Sequence, residues 1–308
     1  MIIDIHCHMW DEELPSKSWW ATFIKLSAAL SGKPEEYVRS KSPGWWDRTG
    51  DMLVADMDEA GIDKAVLLPL DYAMLVGCGQ ATTLEKQHVI MAEAVKRHPD
   101  RLLLFVGIDP RRPDAVPFLE RAVKEWNAKG LKIHSAYGFY PNEPRCYLLY
   151  QKCVELGIPC LAHTGPEMYP QMSKYAMPVF FDEIGNDFPD LKLVLAHSAG
   201  CYWEELALIA SNKLNLHLDL SWGQVQYLSL GEADFYRRVK SLLKIAGTSR
   251  VLFGSDWPGL RQIRRLNHAA WTKVIKEAPE RAKKHGIDFS QEEVDAIMGN
   301  NAAKVLGL

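Results

Sequence analysis

The sequence predicts an α/β protein built as a (β/α)8 TIM barrel, with a helical insertion after the first strand and a helical tail at the C-terminus. Three observations predict it. Eight short apolar runs alternate with stretches of helical periodicity, which implies a parallel sheet joined by right-handed crossovers. Several of those runs end in a histidine or an aspartate, the position at which barrels of this kind carry their chemistry. The 308 residues exceed only modestly the roughly 250 that eight units need, so residues 1–308 read as one domain.

The first run is Ile3-Asp4-Ile5-His6-Cys7-His8, a strand over residues 2–6 that ends in two histidines one residue apart. Side chains alternate faces along a strand, so His6 and His8 point the same way and can share one metal ion. Strict alternation puts Asp4 on their face and turns Ile3 and Ile5 toward the helices. Residues 9–50 form the insertion, which holds Trp10, Trp19, Trp20, Trp45 and Trp46, half of the ten tryptophans. Most of these rings read as a small core that fastens the insertion over the barrel mouth, with one or two walling a pocket.

Further strands are expected over 64–69, 102–107, 130–134, 158–163, 192–197, 214–220 and 250–255, and helices over 82–97, 113–128, 144–156 and 231–245. In the seventh strand Asn215, His217 and Asp219 alternate with leucines. That parity places His217 inside the barrel below the rim, where it is expected to contact Asp4. A helix around 290–298 leads into the tail GNNAAKVLGL, expected to close the barrel periphery.

Composition narrows the partners. The chain carries 36 basic and 39 acidic residues, a net charge of −3, with no long block of either sign. Nucleic acid and anionic membranes are therefore not expected as partners, and a small-molecule substrate is. No apolar stretch reaches the roughly 20 residues of a spanning helix, and no leader-like segment opens the chain, so a cytoplasmic location is expected. The six cysteines, Cys7, Cys78, Cys146, Cys153, Cys160 and Cys201, include no CxxC pair and read as reduced, buried thiols.

Candidate site residues collect at strand ends. The fifth strand ends in Leu161-Ala162-His163, the sixth in Leu195-Ala196-His197 and the eighth in Ser255-Asp256-Trp257. With His6 and His8, these put four histidines and one aspartate on one rim, a set that stability alone does not require. The fourth strand adds Lys132 and His134 on one face. A lysine there serves either as an anion-binding cation or, carboxylated, as a bridge between two metals. Tyr72, Trp222 and Trp257 follow barrel strands and, with His134, are the candidates for substrate contact. His88, His98, His268 and His285 read as solvated or capping histidines.

These motifs together, IDIHCH, HPDRLLLFVGIDP, GLKIH, LAHTG, LVLAHSAG, VLFGSDWPG and GNNAAKVLGL, resemble the amidohydrolase superfamily from end to end. The resemblance is to its amidohydrolase 2 branch of metal-dependent hydrolases and related decarboxylases. It implies that His6, His8, His163 and Asp256 bind one divalent ion, Zn2+ or another such as Mn2+, and that His197 is an acid/base residue beside it. One ion is favoured over the two-metal variant, in which His163, His197 and a carboxylated Lys132 hold a second. It also implies a homodimer. The expected activity is hydrolysis of an amide, lactone or ester in a small, carboxylated molecule by a metal-activated water, with Asp256, His197 and Lys132 catalytic. The alternative is a non-oxidative decarboxylase of an aromatic or unsaturated acid. The Lys132-x-His134 pair departs from the decarboxylase pattern and favours hydrolysis. A metal-free binding barrel is disfavoured because all five rim residues are present.

Overall fold

The computed structural model describes residues 1–75, 83–259, 261 and 266–308; Cys78 lies outside them. The described strands are β1 (Ile3–Cys7), β2 (Lys64–Leu67), β3 (Leu102–Leu104), β4 (Val106–Gly107), β5 (Leu131–Ile133), β6 (Cys160–Ala162), β7 (Leu193–Leu195), β8 (Leu216–Asp219) and β9 (Val251–Leu252). All neighbours pair in parallel, in the orders β1-β2-β3 and β4-β5-β6-β7-β8-β9. The predicted third strand is thus two short ones on either side of Phe105. Phe105 N–H donates to Leu67 O and Val106 N–H to Gly130 O, so one run serves both neighbouring strands. Gly130 makes room for this: a Cβ there would lie 2.4 Å from the Phe105 ring. At the other seam Ile5 N–H donates to Phe253 O and Asp256 N–H to His6 O, bringing the last strand against the first.

The predicted helices form as Leu84–Arg97, Ala115–Trp126, Pro144–Leu156 and Glu232–Ala246. Their ends follow from capping chemistry: the Thr83 side chain accepts from Lys86 N–H, and Gly157 closes its helix at φ 67°. His88, expected on a solvated face, is fully buried. Its Nδ1–H donates to Leu84 O and its Nε2 accepts from Gly107 N–H, so it fastens a helix to β4.

Inward-facing positions of β5 to β8 run in register as Lys132, Leu161, Val194 and His217. The lower interior is apolar: Ile3, Ile5, Val66, Leu161, Val194 and Leu252 pack together with Ala302 and Val305 of the tail. This corrects two expectations. The tail helix Asn301–Leu306 does not lie along the periphery but covers the N-terminal ends of the strands. Ile3 and Ile5 point inward rather than at the helices, and Asp4 points outward. The register of β1 against β2 slips between Asp4 and Cys7, so Ile5 and His6 both reach the interior across a bulge. Asp4 cannot then meet His217. Its carboxylate instead accepts from His6 N–H (3.1 Å) and Ser255 N–H (3.0 Å), and pairs with His268 Nε2 (2.8 Å). His268, expected to be solvated, is accordingly buried at the start of its helix.

The insertion folds as helix Lys17–Ser31, capped by Ser16 and ended by Gly32 at φ 65°, followed by helix Glu35–Lys41. Trp10, Trp19, Trp20, Phe23 and Trp45 pack on one another with centroids 5.0–6.3 Å apart. Among the described residues no helix is long and apolar enough to cross a membrane. Cys7, Cys146, Cys153 and Cys160 are buried free thiols, whereas Cys201 is exposed, contrary to expectation.

Candidate metal centre

The β1 bulge delivers His6 and His8 to the barrel mouth, where both imidazoles converge on one carboxylate. Asp256 Oδ1 lies 3.4 Å from His6 Nε2 and 3.2 Å from His8 Nε2. Carbonyls and carboxylates only accept, so the tautomers are fixed from behind. His6 Nδ1–H donates to Asp219 Oδ2 (2.9 Å) and His8 Nδ1–H to Leu68 O (2.7 Å), leaving both Nε2 lone pairs free for a cation. Burial, with the Lys132 ammonium beside it, holds His6 well below its ordinary pKa. Burial alone would raise the Asp256 carboxyl, but the neighbouring imidazoles of His8, His6 and His197 bring it below the usual carboxylate range. Asp256 itself sits at φ 60°, a left-handed backbone that bulky residues adopt only where their surroundings impose it.

Similar strain surrounds His197. Residues His197, Ser198 and Ala199 have φ of 58°, 43° and 57°. Asp219 holds this turn: its Oδ1 accepts from His197 N–H and Ser221 N–H, each at 2.9 Å, and its backbone carbonyl accepts from Ser198 Oγ. Ser221 Oγ donates to Asp219 and so presents only lone pairs to His197 Nδ1, 2.8 Å away. His197, His6 and Asp256 lie close enough to hold one ion between them.

His163 is placed differently from the other implied ligands. Its ring lies parallel to His134, centroids 4.2 Å apart, and its Nδ1 is 3.2 Å from His197 Nε2. Its Nε2 faces Glu167 Oε1 at 3.2 Å, as does His134 Nε2 at 3.2 Å. Burial lowers both histidines, His163 strongly. Lys132 Nζ stands 3.5 Å from His6 Nε2, and burial pulls it down to about 8. The donor set of His6, His8 and Asp256 fits a divalent ion, with two oriented lone pairs and one anionic oxygen, whereas His163 Nε2, buried without a hydrogen-bond partner, is turned to Glu167.

Above these groups lies a cavity of about 460 Å3. Trp10, Trp19, Phe23 and Leu26 of the insertion wall one side, and Trp222 and Val225 another. Of the four residues expected to contact substrate, His134 and Trp222 line it. Trp257 does not: its indole donates to Asp56 and the ring is 3% exposed. Tyr72 lies behind the wall, packed on Trp19 and Tyr137. Sequence reasoning assigned no site role to Asp219, Ser221 or Glu167. The alternation in β8 already turned Asp219 inward, whereas Glu167 sits in the loop after β6, where no periodicity marks it.

A parallel barrel with histidines and an aspartate gathered at its strand C-termini is an enzyme scaffold with a candidate divalent-metal centre at its mouth. The chain belongs to the amidohydrolase family, whose model matches residues 3–308. Among solved structures it is similar to the uncharacterized TIM-barrel protein Bb4693 of Bordetella bronchiseptica, with 19% identity, a TM-score of 0.72, and 99% of this chain and 98% of that one covered. It is similar to the dihydroxybenzoic acid decarboxylase of Polaromonas sp. JS666, solved with manganese and 2-nitroresorcinol, at 18% identity and a TM-score of 0.70, covering 100% and 97%. A "probable 2-pyrone-4,6-dicarboxylic acid hydrolase" of Acinetobacter baumannii follows at 14% identity and 0.64, covering 100% and 99%. At these identities the likeness establishes the fold. No curated protein matches the chain.

Proposed function

We propose that the protein is a metal-dependent hydrolase acting on an amide, lactone or ester bond of a small, largely apolar molecule that carries one anionic group. The observation that carries this reading is the convergence of His6 Nε2 and His8 Nε2 on Asp256 Oδ1, with Lys132 Nζ beside them under an aromatic wall. A divalent ion, zinc or manganese, held by His6, His8 and Asp256 would lower the pKa of water and polarise a carbonyl. Asp256 accepts the proton released as water adds to the carbonyl carbon. The proton then passes to the leaving nitrogen or oxygen as its bond to that carbon breaks, and His197 is placed to assist. Lys132 offers the single buried ammonium in the described lining, suited to a substrate carboxylate or to negative charge developing on the carbonyl oxygen. The insertion's rings orient the substrate and exclude bulk water.

The same apolar wall favours a second reading, decarboxylation of an aromatic acid, because a desolvated carboxylate loses carbon dioxide more readily. Such chemistry is what the Polaromonas relative is named for. Turnover in 18O-labelled water separates them. Hydrolysis predicts one labelled oxygen in the product and no carbon dioxide; release of carbon dioxide with no label incorporated overturns it.

A further inference from the structure

Resting on the metal-dependent reading of the barrel mouth, we infer that His134, His163 and Glu167 form a second divalent-cation site, separate from the one at His6, His8 and Asp256. Their donor atoms, two imidazole nitrogens and one carboxylate oxygen, lie within 4.8 Å of one another. All three residues face the cavity. Two histidines and one carboxylate with the remaining positions open form a recurrent donor set for divalent transition metals.

The hydrogen bonding behind His163 leaves its contact with Glu167 short of a positive charge. Asp219 obliges Ser221 Oγ to donate, so Ser221 accepts from His197 Nδ1–H. With its hydrogen on Nδ1, the His197 ring turns the Nε2 lone pair to His163, whose Nδ1–H donates at 3.2 Å. That leaves the His163 Nε2 lone pair pointing at Glu167 Oε1, an acceptor facing an acceptor at 3.2 Å inside the protein. His134 Nε2 reaches the same oxygen at 3.2 Å, with nothing hydrogen-bonded to its Nδ1 to fix which ring nitrogen carries the hydrogen. Two acceptors in buried contact repel unless a cation or a proton lies between them. Glu167 is itself held from behind, where Gln171 Nε2–H and Met168 N–H donate to Oε2 and leave Oε1 for the cluster. An oriented carboxylate with one oxygen tied back is how ligands to a bound metal are commonly supported.

This arrangement differs from a two-metal site bridged by a carboxylated lysine. Lys132 Nζ lies beside His6, and the second cluster is completed by a glutamate from the loop after β6. The two sites meet where His163 and His197 touch, ring centroids 4.9 Å apart.

Metal counting on full-length protein, stripped with chelator and reloaded to saturation with Mn2+, tests the inference. Wild type should hold two equivalents per chain, and Glu167→Gln and His134→Asn one each. A His6→Asn/His8→Asn double variant should also hold one, retained by the second cluster. Saturation of wild type at one equivalent overturns the second site and leaves the first reading standing, as does full retention of two equivalents by both single variants. No metal in any of the proteins overturns both readings. The wild-type titration alone is decisive if a variant fails to fold.

Discussion

The two ends of the barrel are built from the same strands and have opposite characters. At the N-terminal end the interior is filled by Ile3, Ile5, Val66, Val194 and Leu252 and covered by Ala302 and Val305. At the C-terminal end the positions that continue those strands are His6, His8, His163, His197 and Asp256, polar side chains within contact of one another and open to a cavity. One end is a packed core that gains stability by excluding water; the other spends stability on strained backbone and buried polar groups. The bulge in β1 marks the change, because it lets one strand place Ile5 in the first environment and His6 in the second.

If the two ends are separable, changes at each should move different measurements. His197→Ala, at the polar end, should lower kcat by about 10²–10⁴-fold, the usual worth of a general acid or base, with little loss of thermal stability. A Tm drop as large as that of a core variant would break the separation. At the apolar end Ile5→Ala should cost about 2–5 kcal/mol in denaturant unfolding while leaving the metal content of the folded protein unchanged. Loss of metal in that variant would mean that the bulge transmits disorder upward.

Acid sharpens the contrast through histidines that belong to neither chemistry nor metal. Burial lowers His88 and His217 from 6.5 to about 4. The unfolded chain therefore binds protons that the folded chain refuses between those values. Stability from these neutral histidines is fully present above pH 6.5 and is lost as pH falls toward 4, by at most about 3 kcal/mol for each group. Urea midpoints measured across this window should fall with pH, and His88→Gln, which keeps a hydrogen-bonding side chain, should flatten the fall. The smallest effect is expected behind the ligands: Asp219→Asn should weaken metal affinity about 10–100-fold in a calorimetric titration, since it still supports His6 but no longer as an anion.

Much of this was legible in the sequence. The strand ends were readable because apolar runs terminating in histidine or aspartate recur at barrel spacing, and the helices because their periodicity and caps agree. The bulge was not, since alternation extrapolated from His6 and His8 assigns Asp4, Ile3 and Ile5 to the wrong faces. Nothing in Ile3-Asp4-Ile5-His6 signals that a carboxylate outside the barrel will satisfy the N–H groups of His6 and Ser255. His88 and His268 were misread for a related reason: each is buried by a single long-range partner, Gly107 or Asp4, that local pattern cannot supply. His163 matched a family motif, but its Glu167 contact depends on a loop whose path the sequence does not announce.

The tail helix has a consequence for how the chain acquires its structure. Residues 302–305 are synthesised long after β1, yet they cover that strand's interior face, and Gly299 packs so closely on residue 1 that a Cβ there would lie 2.0 Å from the Met1 carbonyl. During synthesis Ile3 and Ile5 therefore wait, uncovered, until residues 302–305 have been made. Ring closure and burial of the first strand are set to be late, concerted events, and a chain stopped before residue 299 would carry every ligand of the barrel mouth on a scaffold with its floor missing.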